Sequence, residues 1–193
     1  MQVMKKQIRI LAIDDSEFTF KNKTVPIIGV LARIPSYIES VLKNQIYVDG
    51  RDANEIIISM VQESRYYEQI RLILIDGVTL GGFNIVDISD LYKKLNIPIA
   101  TITRKKPDLV TIKDALISHF PDWEERYKII SRGIIEDLQI DNYKIYTRYE
   151  GIKRNDLISI LKTSTLSGAI PEPLRIAHLI ATALARGESR GRV

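Results

Sequence analysis

The chain has 193 residues, a formal charge of +4 and no cysteine; 45% of its residues are hydrophobic and 27% charged. This suits a single domain, residues 1–193, with room for a core, and excludes a disordered chain. The missing cysteines exclude disulfides, thiolate zinc sites and cysteine nucleophiles, and no apolar run approaches the roughly 20 residues of a membrane span.

The mild basic excess is compatible with a polyanionic partner. The absence of cysteine fits a reducing cytoplasm, and the abundance of Ile, Lys, Arg and Glu leans toward a heat-adapted source. Lys5 and Lys6 precede a strand-like run rather than a signal peptide.

Ile8 to Ile13 reads as a first strand that runs into Asp14 and Asp15. Val25 to Leu31 reads as a second. Tyr37 to Val48 alternates in polarity, as a half-buried third strand does. Short connections predict an antiparallel meander. The third strand ends in Asp49-Gly-Arg-Asp52, where Asp52 or Asn54 is placed to cap a helix over about 53–69. Leu72 to Ile75 is a continuous apolar run, the mark of a strand buried on both faces, and it leads into Asp76 and Gly77. After Gly81 and Gly82, residues 85–95 fit a helix, and Ile97 to Thr103 another buried strand ending at Arg104, Lys105 and Lys106. Pro107 and Asp108 suit a helix start, with the helix ending near His119. Trp123 to Arg132 reads as helix, Tyr143 to Tyr149 as a late strand at an edge, and Asn155 to Leu161 as a short helix. Pro171-Glu-Pro173 interrupts the chain before an amphipathic helix over Leu174 to Arg186, and 186–193 reads as a mobile tail. The order predicts an α/β fold: a mixed sheet of about five strands, three antiparallel and then parallel ones, with helices on both faces.

Three of these strands end in aspartates. Strand one and the Asp76 strand, joined through a crossover helix, are expected side by side and parallel, which makes Asp14 and Asp76 neighbours. Adjacent carboxylates repel unless a cation joins them. Oxygen donors without sulfur favour Mg²⁺ or Mn²⁺, and such a site suits displacement at phosphorus. Asp49 or Asp52 adds a further carboxylate. Singly, each Asp reads as a turn or cap residue before a catalytic one; it is their conjunction that favours the functional reading. Gly81 and Gly82 are placed to offer backbone N–H groups to a phosphate or base. Arg104, Lys105 and Lys106 would share the carboxyl-end edge with Asp76, as phosphate contacts or as solvated loop charges. His119 reads as structural. His178, among Ile176, Ala177, Leu179 and Ile180, reads as a partly buried helix residue.

The segments Ala12-Ile-Asp-Asp-Ser-Glu-Phe18, Val48-Asp-Gly-Arg-Asp-Ala53, Ile75-Asp-Gly-Val-Thr-Leu-Gly-Gly-Phe-Asn84 and Pro171-Glu-Pro-Leu-Arg-Ile-Ala-His178 resemble an uncharacterised family close to endonuclease V, of the RNase H-like fold, that includes endonuclease dU. The resemblance spans nearly the whole chain. It implies a Mg²⁺-dependent (alternatively Mn²⁺-dependent) endonuclease that acts on DNA with deaminated bases such as deoxyuridine or deoxyinosine, in repair, in the cytoplasm. RNA is the alternative substrate. By resemblance Asp14 and Asp76 are metal carboxylates, and Asp52, with Asp49 as alternative, stands nearest the family's third acidic position, a Glu that this chain lacks. Arg104 or Lys105 matches a lysine after the fifth strand, and His178 a histidine near the metal. The Pro-Tyr-Ile-Pro wedge of endonuclease V has no counterpart in Asn44-Gln-Ile-Tyr-Val-Asp49, so lesion recognition is expected to differ. Phe83 is a candidate to stack on an extruded base. Two other readings stand beside the nuclease: a nucleic-acid-binding protein without nuclease activity, and a metal-dependent hydrolase of another phosphate ester.

Overall fold

In the computed structural model, residues 8–19 and 21–189 are described. Their centre is a sheet whose strands lie in the order β3-β2-β1-β4-β7-β9-β8. The meander forms as the alternation predicts: β1 (Arg9–Asp15), β2 (Thr24–Arg33) and β3 (Tyr37–Tyr47) pair antiparallel. The first helix, α1 (Ala53–Gln62), is shorter than its apolar spacing predicts, because the chain turns at Ser64 and continues as a 3₁₀ turn over Tyr67–Gln69. It crosses to β4 (Ile70–Asp76), which lies parallel to β1.

A two-residue-by-two-residue hairpin, β5 (Thr79–Leu80) and β6 (Asn84–Ile85), occupies what reads in sequence as a glycine turn and the start of a helix. The helix α2 (Ile88–Leu95) therefore begins later, capped by the Asp87 side chain, which accepts from the Ser89 and Asp90 N–H groups. Next come β7 (Ile99–Thr103), parallel to β4, and α3 (Leu109–His119). Asp108 is the cap of α3 rather than a first-turn residue, accepting from Val110 and Thr111. The helix α4 (Trp123–Ile130) then leads to β8 (Glu136–Ile140) and β9 (Tyr143–Glu150).

The expected edge position of β9 is overturned: it pairs antiparallel with β7 on one side and β8 on the other. β8 is the edge, and the sheet has seven strands rather than about five. The chain ends with α5 (Arg154–Ser164) and α6 (Glu172–Arg186). Gly187 closes α6 with a φ of 79°, the left-handed conformation usual after a helix. The rest of the expected mobile tail, 190–193, and Lys5 and Lys6 lie outside the described residues.

Helices cover both faces, as predicted. One core packs α1 and α2 on Leu11, Ile13, Ile73 and Ile75, and the other packs α5 and Leu174 on Ile10, Ala12, Leu72 and Leu74. β1 and β4 thus bury side chains on both faces, which is why their apolar runs show no alternation. Among the described residues no helix is long and apolar enough to cross a membrane.

Candidate metal and nucleic-acid site

The pairing of β1 with β4 reaches Ile13 opposite Ile75, so the next residues, Asp14 and Asp76, come out side by side where both strands run out. Asp14 is only 3% exposed. On the same face α6 lies close to the sheet: its small residues Ala177 and Ala181 pack directly on Ile28 and Val30 of β2. That approach sets His178, one residue after Ala177, against the strand ends, with Nδ1 2.8 Å from Asp14 Oδ2. One ligand atom from each of Asp14, Asp76 and His178 lies within 4.8 Å of the others.

The electrostatics of this group combine burial with close carboxylates. Burial and then the neighbouring Asp14 charge push Asp76 up to about 7, while His178 and Arg104 oppose the rise. Asp15 is pushed up to about 6 by burial and by Asp14, although its Oδ2 accepts the Gly81 N–H at 2.7 Å. The bond to Asp14 raises the His178 pKa. The Asp14 carboxylate contributes to all three shifts, after burial for the two aspartates and first for His178. A divalent cation would offset the repulsion between the carboxylates. Two carboxylate oxygens and one imidazole nitrogen are a donor set that Mg²⁺ or Mn²⁺ accepts, the nitrogen suiting Mn²⁺ better. The group faces a cleft of about 860 Å³ whose lining includes Glu17, Arg104, Lys105 and Arg186. Lys106 is exposed and outside that lining.

The remaining candidates are placed elsewhere. Asp52 does not reach the group: its carboxylate accepts from the Tyr47 N–H at 3.2 Å and from Asn84 Nδ2 at 2.5 Å. Asp49 sits in the left-handed region (φ 56°), and its Oδ1 accepts the Phe83 N–H at 2.8 Å. Both tie the β5–β6 hairpin to the end of β3. Asn84, fully buried, completes the tie by accepting from the Ala53 N–H and donating to the Tyr47 carbonyl. Arg126 of α4 reaches in from the far side, donating to the carbonyls of Asp49, Gly50 and Phe83. The two glycines are required by this packing. Both have positive φ, and a Cβ on Gly81 would meet Val25 while one on Gly82 would meet Asp49. The Gly81 N–H is already taken by Asp15 rather than offered to a phosphate. The Phe83 ring is partly exposed and makes a T-shaped contact with Phe120, with centroids 5.4 Å apart.

Three residues, two beside the metal group and one on the hairpin tie, escape sequence reading. Asp15 was visible only as half of a doublet. Glu17 follows Asp14 by three residues, lines the cleft and pairs with Arg186. Arg126 carried no signal, because a buried arginine that bonds only to backbone carbonyls and Asp122 looks in sequence like any helix-surface charge.

Residues 6–185 match the family model described as Endonuclease dU. A UPF0215 protein of Methanosarcina barkeri is 45% identical over 190 residues, which are 98% of this chain and 96% of that protein. The crystal structure of a protein of unknown function from Archaeoglobus fulgidus superposes with a TM-score of 0.82 at 36% identity, covering 92% of this chain and 98% of that one. Endonuclease V of Ciona intestinalis, in complex with DNA containing an inosine followed by a ribo-adenosine, superposes with a TM-score of 0.58 at 13% identity, covering 90% of this chain and 84% of that one. This last likeness is one of fold, RNase H-like, as the strand order independently implies.

Proposed function

The chain belongs to the endonuclease dU family, and we propose that it is a divalent-metal-dependent endonuclease that cleaves DNA near deaminated bases, in a repair role in the cytoplasm. Family and fold together support a nuclease of the endonuclease V kind. The observation that carries the metal-dependent reading is the meeting of Asp14, Asp76 and His178 within 4.8 Å in a cleft whose wall includes Arg104 and Lys105. The inosine-containing DNA held by the Ciona neighbour supports a deaminated base as the lesion.

Asp14 and Asp76 would hold the cation, Mg²⁺ or Mn²⁺. When bound, such a cation supplies a Lewis acid at the phosphate and lowers the pKa of water. His178 fixes the orientation of Asp14 through their 2.8 Å contact. Arg104 and Lys105 face the same cleft and would take the charge of the phosphodiester as it enters. Asp15, next to Asp14 in the chain, accepts the Gly81 N–H and so ties the hairpin to the end of β1.

The test is incubation with uracil- or inosine-containing oligonucleotides and Mg²⁺, wild type beside Asp76→Ala. Cleavage by the wild type alone is expected. A second reading has one observation in its favour: the residues nearest the family's third acidic position, Asp52 and Asp49, are bonded into the hairpin tie. Binding without cleavage in both proteins would favour that non-nuclease, nucleic-acid-binding reading.

A further inference from the structure

Arg148 of β9 pairs with Thr101 of β7 and is 8% exposed. Its guanidinium donates from Nη1 to the Ile130 carbonyl, its Nε is buried with no hydrogen-bond partner, and it forms no ion pair among the described residues. Burial holds its pKa below the usual arginine value. A buried guanidinium without an anion is costly unless something else meets it. Arg148 lines a cavity of about 340 Å³, within the roughly 300–1,000 Å³ typical of small-ligand sites. Val78, Val86 and Ile134 give it apolar walls, and Asp87, Ser89, Arg132, Glu136, Tyr149 and Glu150 join Arg148 in its polar lining. Glu150 Oε1 accepts the Ser89 hydroxyl at 2.9 Å, and Oε2 has no partner among the described residues. The other carboxylates of the lining are engaged, Glu136 by Tyr149 and Arg154 and Asp87 by Arg132. A donor, Arg148, and an acceptor, Glu150, therefore remain in a cavity of mixed apolar and polar walls.

We propose that this cavity receives an extruded nucleobase that carries a ring N–H beside a carbonyl, the Arg148 guanidinium donating to the carbonyl and Glu150 accepting from the N–H. The proposal rests on the nuclease reading above and names what that site recognises. Deamination makes this edge: the exocyclic amine becomes a carbonyl, and the ring nitrogen beside it gains a proton. Cytosine or adenine in the same pose would set an amine against the guanidinium and a lone pair against the carboxylate, and both contacts repel. Thymine and guanine share the keto edge, but correct pairing keeps them in the stack, whereas a mispaired base is extruded at least cost. The placement is consistent with extrusion. Arg148 is level with Ile75, on the face opposite Asp76, and β9 is two strands from β4, about 10 Å at ~4.8 Å per strand. Val78, in the cavity wall, follows Asp76 by two residues. A base bound there has left its helix while its backbone stays at the metal edge.

The test measures binding, in Ca²⁺, of duplexes with one central mispaired U·G or mispaired C·A, so that both target bases are cheap to extrude, by fluorescence anisotropy, for wild type, Arg148→Met and Glu150→Gln, with melting temperatures taken alongside. Wild type should prefer the uracil duplex by about tenfold, the worth of one two-point base contact. Both substitutions should abolish that preference. If Arg148→Met does not fold, Glu150→Gln, in a partly exposed wall position, carries the test. An unchanged preference in a folded variant, or no preference in wild type, overturns the proposal. Cleavage scored in parallel in Mg²⁺ separates the two readings. A nuclease whose variants keep the preference refutes the cavity alone. A preference lost in the variants, with no cleavage by wild type, refutes the nuclease alone.

Discussion

At the scale of single residues, the site is a balance of charge. Asp76, Asp15 and His178 all have raised pKa values in the metal-free fold, so the folded state binds more protons than the unfolded chain as these groups titrate. Stability then falls as pH rises. For the two aspartates it is fully present below their unfolded value of 3.8 and lost by about 6 to 7. Metal-free protein should therefore melt at progressively lower temperature between those limits. Asp76→Asn should flatten the profile, and Mg²⁺ or Mn²⁺ should raise the neutral-pH melting temperature of wild type but not of that variant. Differential scanning fluorimetry across pH reads all three. Asp14 and Asp76 were legible in sequence because each ends a continuous apolar run, and two such strands joined through a helix are parallel neighbours. Asp49 and Asp52 carry the same local signal. What separates them is a partner 32 to 34 residues away in the chain, and no local pattern records that.

At the scale of elements, the β5–β6 hairpin is the part that sequence reading could not assemble. Its strands are two residues each, too short for any period to show. It is held by side chains instead: Asp15 on Gly81, Asp49 on Phe83, Asn84 between β3 and α1, and Arg126 across the carbonyls. Asn84→Ala should lower stability by about 1–3 kcal/mol, since it leaves buried partners unbonded; chemical denaturation measures it. Arg126→Met should release the same hairpin and reduce nuclease turnover without abolishing metal binding, as calorimetric titration with Mn²⁺ would register. The last two strands failed for another reason. β9 alternates aromatic and polar residues as an edge strand does, but that alternation reflects two differently filled faces, and β8, with Leu138 and Ile140 buried and polar residues between, takes the edge.

At the scale of the whole molecule, the formal charge of +4 hides a division. The proposed metal edge is acidic in its depth, at Asp14, Asp15 and Asp76, and basic at its mouth, where Arg104 and Lys105 line the cleft. In the proposed nuclease a polyanion would be drawn to the rim, and a cation at the centre would meet the charge it brings. Binding to DNA should weaken steeply with salt, and Lys105→Ala should reduce the slope of log K against log salt by about 1 if Lys105 meets one phosphate. Titrations at several ionic strengths test this. A slope identical to wild type would remove Lys105 from the interface.

Asp14 and His178, in contact across the site, are 164 residues apart in the chain. The consequence is one of timing. Domains generally fold as units, and α6, which packs on the sheet that carries Asp14 and Asp76, is the last element of this one to be made. Until that helix docks, the aspartates lack the imidazole that orients them, and the chain carries only part of a metal centre. An enzyme that cuts nucleic acid would thus stay unarmed beside its own messenger and ribosome until its last helix settles.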